Sequence, residues 1–142
     1  MKNLLLIGID PGTKTGLAAC LPEASSIKEL RTVGILEAMY TVREYRSLEF
    51  DVFVIVEDAR LVKYKTSKEK AQGAGSVKRD CSIWQEFFER YGIRHQFVRP
   101  SKSLTKWDSK RFQAATGWEG RTSSHARDAA LLVFGKKFPK LG

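Results

Sequence analysis

Asp10, Glu57, His125 and Asp128 are the residues of this sequence whose types and settings suit metal-assisted hydrolysis or proton transfer. Asp10 follows the apolar run LLLIGI at 4–9, and Glu57 and Asp58 follow a second apolar run, VFVIV at 52–56. His125 and Asp128 stand three apart where the final apolar stretch begins, so on a helix they present imidazole and carboxylate on one side. Carboxylates brought together by adjacent strand ends repel one another unless a cation neutralises them. The combination therefore suits a hard divalent metal with oxygen-rich ligands. Taken singly, each residue has a plainer reading: a hairpin with an Asp in its loop, a Glu at a strand end, Asp58 paired with a nearby Lys, a structural His.

The elements that must position these groups are legible in the hydrophobic patterning. Near-continuous apolar character at 4–9 predicts a strand buried on both faces. The Asp10-Pro11-Gly12 that follows predicts a turn in which Pro11 fixes its φ and Gly12 supplies positive φ, with Gly12 to Gly16 forming the bend before a second strand at 17–21. Residues 25–31 read as a loop and 32–36 as a third strand completing a meander. Helical spacing of Ala38, Met39, Val42, Tyr45 and Leu48 predicts a helix over 37–49, which would make the strand at 52–56 a parallel neighbour of the first. A long helix is predicted over 69–91, with Val77, Cys81, Trp84, Phe88 and Tyr91 on one stripe and Ile83 and Phe87 widening it. Gly73 and Gly75 in its first turns suggest close approach of another backbone, a helix or DNA. Gly92 is the expected C-cap, followed by a strand at 93–98 and a helix at 104–116 closed by Gly117. Ser123-Ser124 are good N-cap residues for the last helix, whose small residues near the start would let it lie close against the sheet.

The chain of 142 residues is long enough for one domain with a real core, and no linker-like stretch divides it. Its formal charge of +9 and pI near 9.7 favour a polyanionic partner, because Lys and Arg gain affinity for nucleic acid by counterion release. The cations recur along the chain, which suits a folded surface better than a tail. Candidate nucleic-acid contacts are Arg60, Lys63, Tyr64, Lys65, Lys70, Lys78, Arg99, Lys106 and Lys110, with Tyr64 placed to stack on a base. Lys106 and Lys110 are four apart, on one helix face. The first apolar run is too short to span a bilayer and lacks a small-residue cleavage site, so a soluble, cytoplasmic protein is expected, nucleoid-associated or, if phage-encoded, in the host cytoplasm. Cys20 and Cys81 fit neither a disulfide framework nor a zinc pattern and are expected to be buried free thiols.

In this combination the chain resembles the RuvC-type Holliday junction resolvases of the ribonuclease H-like superfamily. The resemblance rests on IGIDPGTKTG at 7–16, VIVEDA at 54–59, AQGAGSV at 71–77, VRPS at 98–101 and SHARDAALL at 124–132, in the family's order over nearly the whole chain. It implies an α/β ribonuclease H-like fold, a mixed central sheet combining an antiparallel meander with parallel strands and flanked by α-helices. It also implies a homodimer cutting both strands of a four-way DNA junction. Asp10, Glu57 and Asp128 match the family's metal-binding acids, and His125 stands where members carry Asp or His. Lys110 looks like the family's active-site lysine, and Arg99 occupies the approximate place of another functional lysine. The resemblance implies two Mg²⁺ or Mn²⁺ ions per site, ~3.5–4 Å apart, bridged by Asp10 and completed by Glu57, Asp128 and His125. Lys110 would neutralise charge on the scissile phosphate.

Arg60 departs from the family, at or beside the place where many bacterial members carry an aromatic that stacks at the junction centre. The compact length suggests a phage or other divergent branch. Three other readings compete. A YqgF-like RNA-processing nuclease has a similar opening motif and the same superfamily fold. A sugar-kinase or actin-like phosphate loop would need two such domains. A catalytically inactive branched-DNA-binding module would keep only the basic surface.

Overall fold

The computed structural model describes residues 3–48, 50–61, 68–100 and 107–136, with 68–74 described by backbone alone. The first apolar run forms β1 (Asn3–Asp10), which lies at the centre of a five-stranded sheet of order β3-β2-β1-β4-β5. β2 (Thr15–Leu21) and β3 (Ser26–Val33) complete an antiparallel meander with it. After helix α1 (Ile35–Ser47), β4 (Phe50–Glu57) returns parallel to β1. A 3₁₀ turn (Ala59–Leu61) and the long α2 (Lys68–Tyr91) lead to β5 (His95–Val98), parallel to β4. Two short helices follow, α3 (Ser109–Thr116) and α4 (Ser124–Leu131).

Both faces of the sheet are covered, which is why β1 and β4 read as unbroken apolar runs. On one face Leu5, Ile7, Ile9, Val52, Val54 and Val56 pack with Ala38, Met39 and Val42 of α1 and Trp84, Phe87 and Phe88 of α2. On the other, Leu6, Ala18, Cys20, Phe53 and Ile55 pack with Phe112 of α3, Ala129 and Ala130 of α4, and Val133. The result is a helix–sheet–helix sandwich in which α4 covers the centre of the meander. Cys20 and Cys81 are buried free thiols, as expected, and burial pushes them up to about 12 and about 11.

Several boundaries differ from the sequence reading. The third strand occupies Ser26–Val33, not 32–36, and Leu36 belongs to α1. Its polar composition (Lys28, Glu29, Arg31) hid it, because an edge strand with one half-open side needs no apolar run; Arg31 forms ion pairs with Glu29 and Glu37 there. Ile83 does not widen the α2 stripe but faces outward, 40% exposed. The helix predicted over 104–116 is observed from Ser109, where Asp108 caps it by accepting from the Arg111 amide at 2.8 Å; residues 101–106 lie outside the described residues. Gly92 and Gly117 are the positive-φ helix terminators predicted for them. A Cβ built at Gly75 meets nothing within 4 Å among the described residues, so no close approach among them requires that glycine.

Candidate active site

Strand alternation puts the two strand-end acids on one face. Leu6 and Phe53 point to the α4 side, so their successors at two-residue steps, Gly8 then Asp10 and Ile55 then Glu57, do the same. The β1–β4 ladder pairs Ile9 with Val56, and Asp10 and Glu57 are the next residue on each strand. Two carboxylates thus emerge side by side at the carboxyl ends of central parallel strands, where open α/β sheets place their ligand sites.

Helix α4 reaches this edge because β1 and β2 have no side chain where it crosses. A Cβ on Gly16 would lie 2.0 Å from the His125 carbonyl oxygen, and one on Gly8 would lie 2.1 Å from that of Ala129. Gly16 pairs with Asp10 across the hairpin, so the helix backbone touches the sheet directly beside the first acid. Gly16 therefore serves helix–sheet contact and not the turn, and Gly12, which has no positive φ, is not the left-handed residue expected of it. The start of α4 is set by Ser123, whose Oγ accepts from the Ala126 amide at 3.0 Å and also contacts the Thr32 hydroxyl.

The docked helix brings His125 to Asp10, with Nδ1 3.2 Å from Oδ2; a proton on Nδ1 is donated to the carboxylate. Asp10 is 13% exposed and His125 51%, so the pair lies at the surface with the carboxylate on its inner side. Asp128, one turn further along α4, is half-buried, as is Glu57. Among the described residues no group of three or more His, Cys, Asp or Glu side chains converges closely enough to hold a metal ion; Asp10 and His125 are in contact.

Next to Glu57 the chain turns sharply around Asp58, which is 1% exposed. Its amide donates to the Val98 carbonyl (2.8 Å), tying this corner to β5. Its carboxylate is met by Arg60: Nε donates to both oxygens (2.9 and 3.1 Å), Nη2 to Oδ2 (2.9 Å), and the backbone amide to Oδ1 (2.9 Å). Arg60 Nη1 donates onward to Gln85 Oε1 (2.7 Å) and Ser82 Oγ (3.4 Å) on α2, and the guanidinium lies 4.9 Å from the centre of the Phe97 ring. Burial raises the Asp58 carboxyl, but the Arg60 hydrogen bonds and charge outweigh it and hold the group below its ordinary value. Arg60, grouped by sequence with the nucleic-acid contacts, is thus an internal clamp, and the partner of Asp58 is this arginine and not a lysine.

Of the other predicted contacts, Arg99 is exposed just beyond β5, at the same sheet edge as Asp10 and Glu57. Lys110 is exposed on the first turn of α3, and Lys78 is half-buried on α2. Lys63, Tyr64, Lys65 and Lys106 lie outside the described residues, as does the side chain of Lys70. Sequence reasoning missed the structural parts of Gly8 and Arg127. A glycine within an apolar strand is itself a signal of close backbone approach. Arg127 is a cation in the first turn of a helix, where the dipole disfavours it, and it is bonded elsewhere.

No family model matches the chain, and no curated protein matches it. Among solved structures the chain is similar to that of T. thermophilus RuvC in complex with Holliday junction substrate, with a TM-score of 0.57 and 19% identity over 88% of this chain and 87% of that one. At this identity the likeness establishes architecture: a mixed sheet with flanking helices, the α/β fold of the RuvC and ribonuclease H-like type.

Proposed function

We propose that this chain is a metal-dependent, structure-specific endonuclease that resolves four-way DNA junctions. The observation that carries the reading is the placement of Asp10 and Glu57 at neighbouring parallel strand ends, on the face where α4 delivers His125 to Asp10 and carries Asp128 one turn away. Fold alone would not support an activity, because this architecture serves many. The strongly basic composition and the likeness to a RuvC structure bound to a junction add support for a branched DNA substrate.

The donor set, three carboxylates and an imidazole, has the chemistry that hard divalent ions take. Asp10, Glu57, Asp128 and His125 would hold two Mg²⁺ or Mn²⁺ ions; the reading requires the side chains of Glu57 and Asp128 to converge on Asp10. Bound ions would supply water activation and stabilisation of the leaving 3′-oxygen, giving 5′-phosphate and 3′-hydroxyl ends. Within the chain, Asp10 orients His125 through the Nδ1–Oδ2 contact, and His125 is exposed enough to exchange a proton with solvent or substrate. Lys110 would face the scissile phosphate, and Arg99 would hold the backbone beside it. Action as a homodimer would place two such sites across one junction.

The test is incubation with labelled four-way junctions, duplex, flaps and RNA·DNA hybrid, with and without Mg²⁺ or Mn²⁺. Symmetric nicks confined to junctions are expected. Cutting of RNA alone would transfer the chain to the YqgF-like reading, and junction binding with no cutting to the inactive module. Asp10→Asn should lower junction cleavage by at least ~10³-fold while leaving junction affinity within about twofold, measured by single-turnover cleavage and gel shift. Sedimentation with and without junction DNA tests the dimer.

A further inference from the structure

Helices α3 and α4 are two turns each, too short to be stable alone, and they depend on tertiary contacts for their orientation. For α4 the contact is the sheet itself, through Gly8 and Gly16. For α3 it is Phe112, fully buried in the cluster with Ala129, Ala130 and Val133. A single aromatic anchor fixes where a short helix sits but leaves it free to pivot. Yet α3 carries Lys110, whose value to a reaction depends on its direction.

Arg127 bonds to the segments that enter both helices. It stands on α4 between His125 and Asp128, and its guanidinium reaches out of the helix to two separate loops. Nε donates to the Trp107 carbonyl at 2.9 Å, two residues before α3 begins. Nη1 donates to both the carbonyl and the hydroxyl of Thr122, each at 2.8 Å, just before the α4 N-cap. The Trp107 ring in turn lies under Arg111 of α3, 4.4 Å from the guanidinium carbon. Planar, directional donation to fixed carbonyls is a geometry that lysine cannot reproduce. A cation at this place in a helix is unfavourable against the dipole, so its retention in the fold rests on these bonds.

We propose that Arg127 is a positioning residue that ties the entry of α3 to the first turn of α4, so that Lys110 is held in register with His125 and Asp128. This rests on the endonuclease reading above. Because α4 is held independently by the sheet, loss of Arg127 should loosen α3 and leave the Asp10–His125 contact in place.

The experiment is a double-mutant cycle of Arg127→Ala with Lys110→Ala on synthetic four-way junctions, paired with amide hydrogen exchange. Arg127→Ala should lower kcat by roughly 10- to 100-fold, with KM changed by less than about twofold, as expected for a misplaced group far from the chemistry. In the Lys110→Ala background the same change should cost less than about twofold, since there is no ammonium left to position. Fully multiplicative losses would overturn the proposal. Exchange at the α3 amides of Arg111 and Phe112 should speed by at least ~10-fold in Arg127→Ala while β1 amides keep their protection; unchanged α3 exchange would also overturn it. Arg127→Lys should give an intermediate loss, and it replaces the alanine variant throughout if the latter fails to fold. An inactive wild-type protein would sink the endonuclease reading alone, and the exchange measurement would still decide whether Arg127 ties the two helices.

Discussion

The two carboxylates at the sheet edge are held by opposite kinds of force. Beside Asp10, α4 rests on β1 and β2 backbone against backbone, with Gly8 and Gly16 leaving no room for a single methyl. Beside Glu57, the chain is turned by a buried carboxylate, Asp58, and the guanidinium that encloses it, with α2 and β5 bound into the same corner. The first arrangement is steric: it is indifferent to pH and intolerant of volume. The second is electrostatic: its strength depends on both partners and on the ionisation of one. A site assembled this way can lose either flank separately, and the manner of loss identifies which flank was affected.

The largest effect is expected at the steric flank. In Gly16→Ala the new Cβ would lie 2.0 Å from a backbone carbonyl that cannot rotate away, so α4 must shift and His125 with it. A stability loss of at least ~3 kcal/mol is expected in urea unfolding, with a similar loss for Gly8→Ala. A Gly16→Ala protein of unchanged stability would break the comparison.

At the electrostatic flank the loss should be smaller and chemically specific. Arg60→Ala leaves the Asp58 carboxylate buried with its guanidinium partner gone, a cost on the order of 2–3 kcal/mol. Adding Asp58→Asn should recover part of it, because the stranded charge is removed. Strict additivity of the two changes would show that the clamp does not act as a unit.

The smallest effect is a pH dependence confined to that same flank. The Asp58 carboxyl is lower in the folded protein than in the unfolded chain, so its stabilisation is complete above the unfolded value of about 3.9 and disappears as pH falls through the folded value. Thermal unfolding should therefore show a steeper drop in Tm below about pH 4 for the natural protein than for Asp58→Asn. Equal slopes would place the acid sensitivity elsewhere.

Much of the first flank could be read from the sequence. The apolar runs ending in Asp10 and Glu57 predicted buried strands with acids at their ends, and the small residues of the last helix predicted its close approach to the sheet. What was misread there was Gly16, because a glycine after Asp-Pro-Gly looks like part of a turn until the crossing helix is seen. The second flank was not legible. Nothing local distinguishes Arg60 from the lysines that follow it, and its partners on α2 lie 22 and 25 residues away. The third strand was expected at 32–36 and lies at Ser26–Val33 for a related reason: an edge position relaxes the apolar pattern by which strands are recognised.

By itself the sequence determined the α/β class, the strands that deliver the acids, the helix terminators at Gly92 and Gly117, and the buried state of both cysteines. These follow from periodicity and backbone preference, which act over a few residues and leave a pattern in the chain. Only the tertiary structure decided that His125 meets Asp10, that Arg60 turns inward to Asp58, and that Arg127 bridges the entries of α3 and α4. Each is a contact between groups whose side chains could equally face water. Which of them do is set by how the two sheet faces and the flanking helices pack together, and that is not written in the spacing of any one segment.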